Sequence, residues 1–156
     1  MLNSIQRIPD QKVPLRGQTI TLKATREETN GSCFIMETVV DPNGRIPFHI
    51  DREVEEFFYV VDGSMTVYVG DETFFAKPGN VIHFPKNVRH AFENSNNIPA
   101  KALIVQLPAG KTEDFFKLMG ALPKEEPLST EELCNISSEC GTDLLETITK
   151  KTFSVK

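Results

Sequence analysis

The chain has 156 residues, 39% of them apolar, and its 17 Lys and Arg against 22 Asp and Glu leave a formal net charge of −5. That length supports one compact hydrophobic core rather than two. The acidic balance, with no basic cluster, opposes binding to nucleic acid or anionic membranes, and no apolar run approaches the roughly 18 to 20 residues that span a bilayer.

The first residues, MLNSIQRIPDQK, carry no continuous apolar stretch, which sets the expectation of a soluble, cytoplasmic protein. Residues 1–17 read as an N-terminal extension. From there to residue 108, seven short segments rich in β-branched and aromatic residues read as strands: 18–25, 33–40, 56–61, 64–69, 72–76, 80–84 and 100–107. DPNG at 41–44, DG at 62–63, GD at 70–71, KPGN at 77–80 and ENSNN at 93–97 punctuate them at hairpin spacing. Parallel strands need long crossovers that this spacing leaves no room for, so an all-β sandwich or barrel follows.

After Pro108 the pattern turns helical, and residues 109–156 read as a short helical tail packing on the barrel. Thr112 precedes EDFFKLMG, and Ser129 with Glu132 forms a capping box ahead of ELCNISSEC, which ends at Gly141. Phe115, Phe116, Leu118 and Met119 are expected in the core, and Lys124, Glu125 and Glu126 between two prolines read as a solvated linker. Cys33, Cys134 and Cys140 are odd in number and lack CxxC spacing, which fits ordinary thiols in a reducing compartment.

The densest chemistry lies in HIDREVEEFFYVVDG, residues 49–63. His49 and Asp51 stand two apart, so on an extended segment both leave the same face with α-carbons roughly 6.5 to 7 Å apart. Glu56 begins the next apolar run, and Glu55 is its rival. After the turn at PKNV, His90, Phe92 and Asn94 share one face. Three hairpin-linked strands would bring His49, Glu56 and His90 together inside a barrel. Arg52 and Glu53 read as solvated charges.

The stretch from Pro47 to Gly63 resembles the first motif of the cupin superfamily, HxHxxxxE followed by six residues and a glycine, with His49, Glu56 and Gly63 in register. GNVIHFPKNVRHAFEN resembles the second motif through Gly79, Pro85, His90 and Asn94. The resemblance covers about residues 44–108 and is most similar in flavour to small quercetin dioxygenase-like cupins. It implies an all-β cupin barrel, a double-stranded β-helix or jelly roll spanning residues 18–108, with a divalent metal in its interior. Two departures stand out: Asn87 replaces a glycine, and Asn tolerates left-handed turns; Asp51 replaces the second histidine on a shorter stem, so it either ligates as a fourth group or acts through a water.

The implied metal ligands are His49, Asp51, Glu56 and His90, with Asp51 and Glu56 as the catalytic carboxylates. Imidazole and carboxylate together favour iron or manganese, with nickel and zinc also compatible. By alternation Met36, Phe58, Tyr59, Met65, Phe84 and Phe92 are candidates to line an apolar pocket, with His83 either a substrate contact or proton shuttle or a hydrogen-bonded core residue. The expectation is an iron- or manganese-dependent dioxygenase-like enzyme acting on a small apolar or aromatic molecule. Its rivals are a noncatalytic binder with structural or no metal, and an isomerase or epimerase. A homodimer pairing through residues 18–25 or the tail is expected.

Overall fold

The computed structural model describes residues 10–123 and 128–145. The proposed linker charges Lys124, Glu125 and Glu126, and the final residues 146–156, lie outside the described residues.

Among the described residues eleven strands and two helices follow in order: β1 (Gln11–Leu15), β2 (Gln18–Ala24), β3 (Phe34–Val40), β4 (Arg45–Asp51), β5 (Glu55–Asp62), β6 (Met65–Val69), β7 (Glu72–Ala76), β8 (Val81–Phe84), β9 (His90–Glu93), β10 (Ala100–Leu107), α1 (Thr112–Ala121), α2 (Thr130–Glu139) and β11 (Thr142–Leu144). They form a six-stranded sheet ordered β1-β2-β3-β10-β5-β8 and a five-stranded sheet ordered β11-β4-β9-β6-β7. Every pairing is antiparallel. The two inner faces enclose one core, in which Val13, Ile20, Phe34, Val40, Phe58, Val60 and Val67 are at most 1% exposed. This is the two-layer β architecture of a jelly roll.

The strands read from hairpin spacing appear within a residue or so of their expected ends, because pattern and turn chemistry are both local. The turn after β5 illustrates this. Gly63 adopts φ +72°, and a Cβ there would lie 2.9 Å from Ala100, so the tight return to β6 requires glycine. Asn87 takes φ +63° at the β8–β9 turn, the left-handed conformation that glycine would otherwise supply.

Three expectations need correction. Part of the N-terminal extension is strand β1, which pairs residue for residue with β2 from Gln11↔Leu22 to Leu15↔Gln18; Pro14 is accommodated because β1 lies at the sheet edge. Residues 18–24 therefore sit between β1 and β3, and both sides of that strand are already paired. The tail is also not purely helical: it ends its described part in β11, which pairs with β4.

Both helices form where their sequence signals lie. Ser129 caps α2, with the reciprocal bonds of a capping box to Glu132. Thr112 is instead the first residue of α1, after Lys111 as N-cap, and no side chain caps that end. Phe116 is buried, Phe115 and Met119 pack on the core, and Leu118 is 42% exposed. Asn94 is buried, and its amide donates to the carbonyls of Val40, Asp41 and Ile98, locking the DPNG turn against the loop after β9. No helix among the described residues is long and apolar enough to cross a membrane, and the three cysteines are free and half-buried.

Candidate metal centre

His49 and Asp51 lie at the end of β4, and His90 opens β9 directly opposite His49. The β4–β9 ladder shifts register between Ile46 and His49, at Pro47, which has no N–H to give the ladder. Such an irregularity re-aims the following side chain. Here it turns the His49 ring so that Nδ1 lies 2.8 Å from the Pro47 carbonyl oxygen. His90 repeats the arrangement, with Nδ1 3.1 Å from the Val88 oxygen.

A carbonyl only accepts, so both Nδ1 atoms carry the proton and both Nε2 atoms of the neutral rings present lone pairs. The rings meet at 4.2 Å between centroids and an angle of 62°, while Phe84 stacks flat on His90 at 4.3 Å.

Two carboxylates complete the cluster in the same manner, with one oxygen tied and the other facing inward. Asp51 Oδ1 accepts from Thr142 Oγ1 at 2.5 Å, and Asp51 Oδ2 lies 3.5 Å from His90 Nε2 and 4.0 Å from His49 Nε2. Glu56 Oε2 accepts from Gln106 Nε2 at 2.8 Å, and Oε1 lies 4.0 Å from His90 Nε2. His49, Asp51 and His90 each offer a ligand atom within 4.8 Å of the others. Glu56 stands to one side of that trio. Asp51, whose short stem left its role open, therefore sits nearer the centre than Glu56.

With both rings neutral and both carboxyls ionised every inward atom is an acceptor, and His90 Nε2 is buried without a hydrogen-bond partner. A convergence of acceptors of this kind suits a cation. Ligand bonds of roughly 2.1 Å place neighbouring donors about 3.0 to 3.5 Å apart in octahedral or tetrahedral geometry, so the observed separations fit an ion after small side-chain closure. Two imidazoles and one or two carboxylates form a chemically consistent donor set for iron, manganese, zinc or nickel.

The electrostatics express the same convergence. Burial, reinforced by the neighbouring His90, holds His49 down to about 4. Burial, reinforced by the charge on Asp51, pushes Glu56 up to about 7. Burial opposes charge on His90 and Asp51 too, but their mutual contact wins: His90 is raised and Asp51 lowered. Without an ion, these directions favour a proton on His90 over one on Asp51. The His49 side chain is 14% exposed against 1% for His90, so solvent reaches the cluster from the His49 side.

Several expected residues lie elsewhere. His83 is 47% exposed, bonds Glu55 at 2.7 Å and stacks on Phe57. Alternation does put it on one face with Val81, but that face is the outer one, because Glu56 and Phe84 are the inward pair of β5 and β8. Tyr59 is likewise outward and 42% exposed. Met36, Phe58, Met65, Phe84 and Phe92 point inward and pack into the core cluster. Arg52 is no free solvated charge: it pairs with Asp143 and donates to the Ser138 carbonyl at 2.7 Å. A surface depression of about 440 Å³ lined by Gly63, Phe75, Lys77 and Ile98 lies about 20 Å along β5 from Glu56 and is separate from the cluster.

Two residues escaped the sequence reading. Gln106 had a visible signal, since it continues the inward alternation Ala100, Ala102, Ile104 of β10 as a polar residue. Thr142 had none, because only the β4–β11 pairing brings it to Asp51.

Comparison with known proteins agrees with this geometry. The family model for the cupin domain matches residues 36–106. Quercetin 2,3-dioxygenase of Bacillus subtilis is 25% identical over 131 residues, 76% of this chain and 38% of that protein. Protein SchB of Streptomyces halstedii is 36% identical over 84 residues, 54% of this chain and 61% of its own. The chain spans less than two thirds of the length of these curated relatives. Among solved structures, an RmlC-like cupin from Shewanella frigidimarina superposes with a TM-score of 0.60 at 18% identity, over 74% of this chain and 99% of that one. Domain match, antiparallel double sheet and inward His–Asp–His cluster agree, and residues 36–106 of the chain are a cupin domain.

Proposed function

We propose that this cupin is a metal-dependent, dioxygenase-like enzyme acting on a small apolar or aromatic molecule, with iron or manganese as its ion. The observation that carries the reading is the convergence of His49 Nε2, His90 Nε2, Asp51 Oδ2 and Glu56 Oε1, which all present lone pairs inward when the rings are neutral and the carboxyls ionised. A bound iron(II) or manganese(II) ion supplies Lewis acidity and reactivity toward dioxygen. His49, Asp51 and His90 hold it. Glu56, whose Oε1 faces the cluster 4.0 Å from His90 Nε2 while Oε2 is held by Gln106, is placed to take or give a proton as a general acid or base. The similarity to quercetin 2,3-dioxygenase supports an aromatic substrate.

The reading includes a reducing, cytoplasmic setting, supported by three free cysteines. It also includes a homodimer, supported by Tyr59, Val61 and Val81 on the outer face of the six-stranded sheet, which are 42, 44 and 60% exposed. A single 17.5-kDa species in sedimentation would remove the dimer. The deciding experiment is oxygen uptake by iron- and manganese-loaded protein across a panel of phenolic substrates. Substrate-dependent uptake that disappears in His90→Ala is expected. Saturable binding without uptake, or redox-neutral turnover, would replace the oxygenase by a binder or an isomerase.

A further inference from the structure

We propose that Thr142 is a positioning residue of the metal centre, so that the C-terminal strand β11, outside the matched cupin domain, completes the site. The inference rests on the metal reading above and assigns a role to a residue beyond the matched region, residues 36–106.

The physical argument starts from Asp51. A carboxylate at this position has two equivalent oxygens and a side chain free to rotate, whereas an imidazole is oriented by one bond from its second nitrogen. Asp51 has no backbone carbonyl of the kind that orients His49 and His90. Its fixed contact is the Thr142 hydroxyl, which donates to Oδ1 at 2.5 Å and leaves Oδ2 as the oxygen facing both Nε2 atoms.

The hydroxyl is itself held in place. Thr142 lies directly opposite Asp51 in the β4–β11 ladder, and a β-branched side chain is stiff at χ1. The strand is secured from several sides: Arg52 N donates to the Gly141 carbonyl at 3.0 Å and Leu145 N to the Phe48 carbonyl at 2.9 Å. Ser137 Oγ donates to the Thr142 carbonyl at 2.9 Å, and the Arg52 guanidinium grips Asp143 and the Ser138 carbonyl. Docking of α2 and β11 is thereby coupled to the aim of one metal ligand, and by linkage metal binding favours the docked strand.

The test uses the full chain, stripped of metal and titrated calorimetrically with Mn(II). Thr142→Val keeps shape and strand propensity but removes the hydroxyl, and Thr142→Ser restores it. Loss of a supporting hydrogen bond of this kind lowers metal affinity by about 10- to 100-fold, so Thr142→Val is expected to bind that much more weakly than wild type, with Thr142→Ser close to wild type. The metal-free thermal midpoints separate this from a packing defect, and Thr142→Ala gives the same comparison where valine disturbs the ladder. Thr142→Val binding like wild type, or Thr142→Ser as weak as Thr142→Val, would overturn the inference alone. Wild-type protein that takes up no Mn(II) would overturn the metal reading and this inference with it.

Discussion

Glu56 lets the buried cluster be weighed without any substrate. Its carboxyl is 4% exposed and is raised from 4.5 to about 7, chiefly by burial and then by Asp51. A raised carboxyl contributes stability that is fully present below its unfolded value and is lost as pH climbs through the folded one. Here the window is 4.5 to about 7, and the loss is on the order of 3 kcal/mol. Glu56→Gln removes that ionisation while keeping an oxygen for Gln106 Nε2 to bond. In metal-free protein the variant is therefore expected to match wild type near pH 4.5 and to exceed it by on the order of 2 to 3 kcal/mol above pH 7. Urea denaturation of chelator-treated samples at the two pH values measures the difference. An equal pH dependence in wild type and variant would refute the assignment of this loss to Glu56, and a variant weaker at both pH values would show that the amide fits the site less well than the carboxyl it replaces.

Three further outcomes follow from the same geometry. His90→Ala removes the buried Nε2 at the centre of the cluster, and elemental analysis of protein purified without chelator is expected to show at least about tenfold less metal than wild type. Gly63→Ala forces a side chain onto φ +72° and into Ala100 at 2.9 Å, so urea denaturation should show about 1 to 3 kcal/mol of destabilisation with the unfolding slope unchanged. Asn94→Ala strips the amide from three carbonyls, and thermal unfolding should report a loss of about 1 to 3 kcal/mol with metal content intact.

Seven of the nine strands from β2 to β10 could be read from the chain itself, because alternation, β-branched content and turn residues act over a few residues, whereas β4 and β9, which carry His49, Asp51 and His90, lie outside those seven segments. His49, Asp51, Glu56 and His90 stand out through the resemblance to the two cupin motifs together with their spacing on extended segments. What pattern could not supply was face and reach. His83 and Phe84 are neighbours, and only the pairing of β8 with β5 makes Phe84 inward and His83 outward; a period of two identifies the faces without saying which one meets the core.

The same limit applies more strongly at the centre. Composition and spacing determined that two imidazoles and two carboxylates were available on strands of one barrel. Which oxygen of Asp51 faces the rings was decided by a hydroxyl 91 residues away, and the lean of Glu56 by an amide 50 residues away. Ligand direction depends on hydrogen bonds that exist only after the sheets have closed, and those partners follow from strand pairing rather than from any local pattern.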